Sequence, residues 1–172
     1  MRRIPSILAH LARSREEFIK TTESFLNEQW RIAPCEGVWS AAEVVAHVSM
    51  VERSVVQSAS KIAQKAPKIT PFWKHFHVPV AFAAWRGAKR KSPIPLDPTL
   101  IVSRDEALQN LAACRKETLA FIESTRERDL SAYRFDHPFL GSLNIYEWLR
   151  MIGYHDVRHA KQLREIVQTF RH

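Results

Sequence analysis

Ile4, Leu11, Phe18 and Phe25 recur every seven residues with Leu8 and Thr22 between them, which predicts a first helix over residues 6–28 with one apolar stripe and a charged opposite side. Trp30 to Trp39 contains Pro34 and Gly37, both poor in helix interiors, and reads as a loop. The period returns at Ser40. Val44, His47, Val48, Val51 and Val55 mark one face of a second helix, 40–66, which Pro67 stops. A third helix, 103–126, is expected to turn Leu108, Leu111, Leu119 and Ile122 inward. In a fourth, 144–168, Ile145, Ile152, His159 and Ile166 share one seam position, and Trp148, His155 and Gln162 share the other. Ser40 with Glu43, Ser103 with Glu106 and Asn144 with Glu147 have the spacing that lets a cap residue and a carboxylate satisfy N–H groups left unpaired in the first turn.

Four amphipathic segments with hardly any strand signal predict an all-α chain, an antiparallel four-helix bundle that forms a single domain over 1–172. Between the second and third helices, Pro71 to Gly87 is rich in aromatic residues and predicts a short extra helix packed over one end of the core. Asp129 to Leu143 reads as a long connection containing His137-Pro-Phe-Leu-Gly141. No internal repeat or low-complexity segment interrupts the pattern.

Composition changes this picture little. With 45% hydrophobic and 26% charged residues, the 172-residue chain has the make-up of an ordinary globular protein. No run has the apolar length of a membrane span, and Met-Arg-Arg-Ile-Pro lacks the apolar centre of a signal peptide, so the expected location is cytoplasmic, with no membrane partner. Cys35 and Cys114 are too few for a disulfide framework. Cys35, a loop thiol with no neighbouring His or second Cys, is expected to be neither ligand nor nucleophile. The formal charge of +8 permits nucleic acid, anionic lipid or an acidic small molecule as partner. The densest basic run, Arg86 to Lys91, leads into a proline-rich stretch and reads as a solvated linker. It comes with no basic helix or stacking platform, so nucleic acid is not the expected partner.

The candidate chemistry lies in the seams. His155 and His159, one helical turn apart and both inward, can offer two imidazole nitrogens to one ion. The alternative, that they are hydrogen-bonded core residues, stays open at this point, although burying two imidazoles among apolar neighbours without a shared ligand is costly. His47 sits where an aliphatic residue would complete the stripe of the second helix. His75 and His77, two residues apart, would point to different sides of a helix and are expected near the site mouth or the surface, away from the metal.

Two blocks resemble the DinB-like (DinB/YfiT-like) superfamily of helical metal-binding proteins. One is Pro34-Cys-Glu-Gly-Val-Trp39-Ser40-Ala-Ala-Glu43 followed by His47. The other is His137-Pro-Phe-Leu-Gly141 to Trp148, followed by His155-Asp-Val-Arg-His159 and Gln162. The resemblance implies a three-histidine site on the second and fourth helices, mapping to His47, His155 and His159, that binds a divalent metal ion, zinc or nickel. It further implies a thiol S-transferase acting on small electrophiles, with a low-molecular-weight thiol and a small-molecule substrate as partners, and it allows a homodimer. The family's name refers to DNA-damage induction, which concerns regulation and not DNA contact. A metal held by three neutral imidazoles keeps one position open, so a metal-dependent hydrolase is the alternative reaction. A third reading is a non-catalytic, metal-stabilised protein that binds an acidic partner. Glu43, Arg158 and Gln162 are the candidates for orienting a ligand imidazole or a substrate. Glu43 has a competing role in the cap, and Arg158 projects about 100° around the helix from its neighbour His159.

Overall fold

Each of the four seams becomes a helix in the computed structural model, which describes residues 3–67, 77–85, 87 and 95–170. The helices are α1 (Arg3–Thr22), α2 (Ala41–Ala63), α3 (Arg104–Ser124) and α4 (Ile145–Thr169), and together they make a four-helix bundle. Capping fixes their starts. Ser40 N–H donates to the Glu43 carboxylate at 2.7 Å while Glu43 N–H donates to the Ser40 hydroxyl, and Asn144 and Glu147 repeat the exchange at the start of α4. Ser103 caps α3 in one direction, its hydroxyl accepting from Glu106 N–H.

Contacts along the helices give their directions. Arg3 meets Tyr146, His10 meets Tyr154 and Glu17 meets Arg164, so α1 and α4 run the same way. Cys114 bonds to Ser49 and Thr118 to Glu52, so α3 runs with α2. His47 faces His159 near the far end of α4, so the second pair opposes the first. Because α2 and α3 run the same way, the end of α2 and the start of α3 lie at opposite ends of the bundle, the arrangement of a bundle with a long crossover.

Three details differ from the sequence reading. First, α1 ends at Thr22 instead of near residue 28. The Thr21 and Thr22 hydroxyls bond back to the Glu17 and Ile19 carbonyls, and two successive β-branched residues weaken the last turn. Phe25 still reaches the core through a turn. Second, Leu119, expected inward, is 43% exposed, and Cys114, Thr118 and Phe121 take the buried face of α3 with Leu111 and Ile122. Third, the expected connection between α3 and α4 contains a hairpin, β1 (Arg134–His137) paired antiparallel with β2 (Gly141–Asn144), His137 lying opposite Gly141. Gly141 has φ +89°, in the left-handed region that favours glycine, and four-residue strands are too short to show an alternating pattern. Phe135 of the hairpin stacks on Trp148 of α4 at 4.3 Å, and Trp148 Nε1 donates to the Phe135 carbonyl.

The expected extra helix is a 3-10 turn, Val80–Ala84, lying against α4. The Arg158 guanidinium bonds to the Trp85 carbonyl and Lys161 to that of Ala84, while His77 Nε2 is 2.8 Å from Glu147 Oε1. His75 and the basic run Arg86 to Lys91, apart from Gly87, lie outside the described residues. No helix among the described residues is long and apolar enough to cross a membrane.

The core falls into two apolar clusters. One gathers Leu11, Val55, Phe121 and Ile152, the other Phe18, Val48, Leu111 and Ala160. Between these positions each helix contributes polar residues, the buried Arg15, Glu52, Thr118 and Asp156 and the half-buried Arg115. Arg15 donates to both Asp156 oxygens at 3.1 Å and also to Glu52. Arg115 reaches Glu52 at 2.8 Å and Asp156 at 3.0 Å.

Candidate metal centre

His47 enters from α2 two turns after the Ser40 cap, and His155 and His159 enter from α4, where seam positions that elsewhere hold Ile or Trp carry imidazoles. The three present one ring nitrogen each, all within 4.8 Å of one another. Nε2 of His155 and Nε2 of His159 are 3.1 Å apart, and the His47 ring centroid is 5.1 and 5.0 Å from theirs. Tetrahedral ligands at ~2.0–2.1 Å from an ion lie ~3.3 Å from each other, so the observed spacing suits one cation.

Protonation supports the same fit. Burial, with help from the Arg158 charge, pushes His47 down to about 4, and burial together with the neighbouring imidazoles holds His155 well below its ordinary value. His47 and His155 are therefore neutral donors near pH 7, the form in which histidine binds metal. His47 Nδ1 is buried without a hydrogen-bond partner among the described residues. An unpartnered buried nitrogen on His47 is costly as core packing. His155 keeps an edge open, and that edge lines a cavity.

The supporting candidates divide. Gln162 Oε1 lies 2.8 Å from His159 Nδ1, which places the His159 proton on Nδ1 and leaves Nε2 to face the other rings. Glu43 is held in the Ser40 cap, bonded to that residue's N–H and hydroxyl, and that contact is its role here. Arg158 lines the cavity while anchoring the 3-10 turn through the Trp85 carbonyl. His77 is engaged with Glu147 and stays outside the histidine cluster. Cys35 is exposed at the cavity rim and Cys114 is buried beside Ser49, so neither joins the cluster. Replacing Gln162 with leucine is expected to lower zinc affinity ~10- to 100-fold, the usual cost of losing the partner that orients a ligand imidazole. Competition with a chromogenic chelator reads this, and an unchanged affinity would remove Gln162 from the site.

The cavity has a volume of about 1360 Å³, with the histidines on one wall. Trp39 packs on His47 at 4.9 Å, and Val51, Val55, Phe135, Trp148 and Met151 make the remaining walls largely apolar. Phe82, Trp85 and Phe139 are roughly half exposed where the lining meets solvent.

The model of the DinB superfamily matches residues 10–163, most of the chain. The chain belongs to the DinB superfamily. It is 28% identical over 141 residues to an uncharacterized protein, YuaE, of Bacillus subtilis (strain 168), an alignment covering 81% of this chain and 84% of YuaE. Among solved structures it is similar to TT2238, described as a four-helix bundle protein, with a TM-score of 0.62 and 22% identity over 94% of this chain and 98% of that one. That likeness concerns the fold alone. Family membership and the three-histidine cluster agree with each other and with a divalent metal centre in a DinB-like protein.

Proposed function

We propose that this DinB-superfamily protein is a metal-dependent enzyme that transfers a low-molecular-weight thiol to a small electrophile, with His47, His155 and His159 holding zinc or nickel. The observation that carries the reading is a cluster of three imidazoles on the wall of a large, mostly apolar cavity. A site built only to stabilise the fold would be closed by a fourth protein ligand, and no such residue joins the cluster among the described residues. When bound, the ion would supply positive charge and an exchangeable position able to hold a thiol as its thiolate.

The chain's own residues do the rest. Trp39, Trp148 and Phe135 offer flat apolar surface for the electrophile, and Phe82 and Trp85 shield it from water on the outer side. In the transfer, an S–C bond forms as the bond from that carbon to its leaving group breaks, and the thiol proton leaves with the departing group. Exclusion of water supports transfer over the hydrolytic alternative, which would use the same open position.

Metal-loaded protein incubated with several cellular thiols and a panel of alkyl and aryl electrophiles tests the reading, with the His155→Ala protein as control. Conjugation at least ~10-fold faster than the control is expected, a modest demand on a catalysed step. Conjugation no faster than the control, alongside metal-dependent ester or amide cleavage, would replace the transferase with the hydrolase.

A further inference from the structure

A fourth histidine lines the same cavity, and neither the ligand set nor the cap explains it. His137 ends β1, immediately before the Pro138-Phe139-Leu140 turn. Its Nδ1 accepts two backbone N–H groups, from Phe139 at 3.1 Å and from Leu140 at 3.2 Å. A ring nitrogen that accepts two hydrogen bonds carries a lone pair, so the ring's single proton is on Nε2. Nε2 has no hydrogen bond among the described residues, and the ring is held in place by Trp148 at 5.1 Å and Phe139 at 6.1 Å. The backbone thus fixes both the tautomer and the position of an N–H donor in a mostly apolar chamber that also holds the metal-site histidines.

We propose that His137 is a ligand-binding residue of the cavity, whose Nε2–H donates to an acceptor oxygen, a carbonyl, nitro or carboxylate oxygen, on a small molecule with an apolar body. The inference deepens the reading of this chamber as a small-molecule site and adds to it a preference for substrates that carry such an oxygen. A half-buried donor on the wall of a mostly apolar chamber favours an acceptor over a hydrocarbon of the same shape, because a bound hydrocarbon displaces water from the N–H and leaves it unsatisfied. The competing role for His137 is structural, capping the hairpin turn through Nδ1.

His137→Asn separates the two roles. The asparagine Oδ1 occupies the place of Nδ1 and can keep the two backbone bonds, but the side chain lacks the Nε2–H. Benzoate and toluene serve as probes with and without the acceptor, titrated calorimetrically into metal-free and zinc-loaded protein. The substitution is expected to weaken benzoate on the order of tenfold in both forms while leaving toluene affinity, zinc content and melting temperature near the native values. Benzoate affinity that is unchanged, or that falls equally with toluene, would overturn the proposal. Zinc loss matching that of His155→Ala would also overturn it, by making His137 a ligand. Nitrogen NMR of histidine-labelled, metal-free protein gives an independent reading: a proton on Nδ1 of His137 would refute the tautomer on which the proposal stands. Native protein that binds no zinc yet discriminates benzoate through His137 would uphold the donor while removing the metal reading, so the two can fail separately.

Discussion

The His155→Ala protein is expected to bind zinc more than ~100-fold more weakly than the native chain, since the loss of a partner that merely orients a ligand already costs up to that factor. The three rings form a triangle in which His155 contacts both others, with its Nε2 3.1 Å from that of His159 and its centroid 5.1 Å from that of His47. Without it the remaining two nitrogens come from different helices and must hold the ion alone. The effect is equally readable as stability. A ligand present at a thousand times its Kd stabilises the fold by ~4 kcal/mol, and a hundredfold weaker affinity at the same concentration leaves ~1.4 kcal/mol. Urea denaturation with and without zinc should show that difference for the native protein and most of it missing for the variant. Metal-free samples of the two proteins provide the control, because any direct cost of the substitution appears there as well. An equal zinc-induced gain in both proteins would mean that His155 is no ligand.

The sequence made the bundle and the histidines legible because both depend on periodicity. Helical spacing placed His47, His155 and His159 on inward faces, and Ser40–Glu43 and Asn144–Glu147 marked the starts of the two helices that carry them. What escaped had a different physical origin. The hairpin that carries His137 is held by backbone pairing over two four-residue strands and by the stacking of Phe135 on Trp148, and neither leaves a pattern in a local window. The end of α1 was set by the hydroxyls of Thr21 and Thr22 bonding to the preceding turn, a local competition that the apolar repeat through Phe25 conceals. Leu119 reads as inward because it is apolar, although the face of α3 that turns in carries Cys114 and Thr118. The buried charges did leave a signal. Arg15 falls four residues after Leu11 and three before Phe18, Glu52 holds the same place between Val48 and Val55, and Asp156 follows Ile152 by four. Charges standing on seam positions of separate helices imply partners across the bundle, because none can be buried alone.

Truncating Glu52 should be among the most destabilising single changes in the chain, costing ~3–5 kcal/mol, the usual range for removing one member of a buried ion pair. Its carboxylate receives Arg15 from α1 and Arg115 and Thr118 from α3, the last two at 2.8 and 2.6 Å, and its side chain is 1% exposed. Glu52→Ala would leave the Arg15 and Arg115 guanidiniums with Asp156 as their one shared carboxylate among the described residues, beside the Leu111 and Leu11 carbonyls. Replacement of the whole layer by well-packed apolar residues is a different experiment, often neutral or stabilising, so the cost expected here is that of breaking the network and not the net worth of having it. Acid titration would be a poor substitute. Burial pushes the Glu52 carboxyl up, but Arg15 and Arg115 hold it below its ordinary value, so its contribution is present above the unfolded carboxylate pKa and lost as pH falls through the folded one. Asp156 is pushed up by burial against the same two arginines, so its contribution is present below the unfolded pKa and lost as pH rises through the folded one. The two slopes oppose each other, and substitution separates what pH would blend. The layer also bears on the site, because Asp156 adjoins His155 and its bonds to Arg15 and Arg115 restrain the rotation of α4 that points His155 and His159 toward His47. Glu52→Ala is therefore expected to weaken zinc binding as well as the fold, while Glu52→Gln, which keeps the size and part of the hydrogen bonding, should lose less of both. Chemical denaturation gives the first quantity and chelator competition on the folded fraction gives the second. A stability loss below ~1 kcal/mol for Glu52→Ala, within the range of an exposed pair, would show that the four-helix charge layer is not the buried network described here.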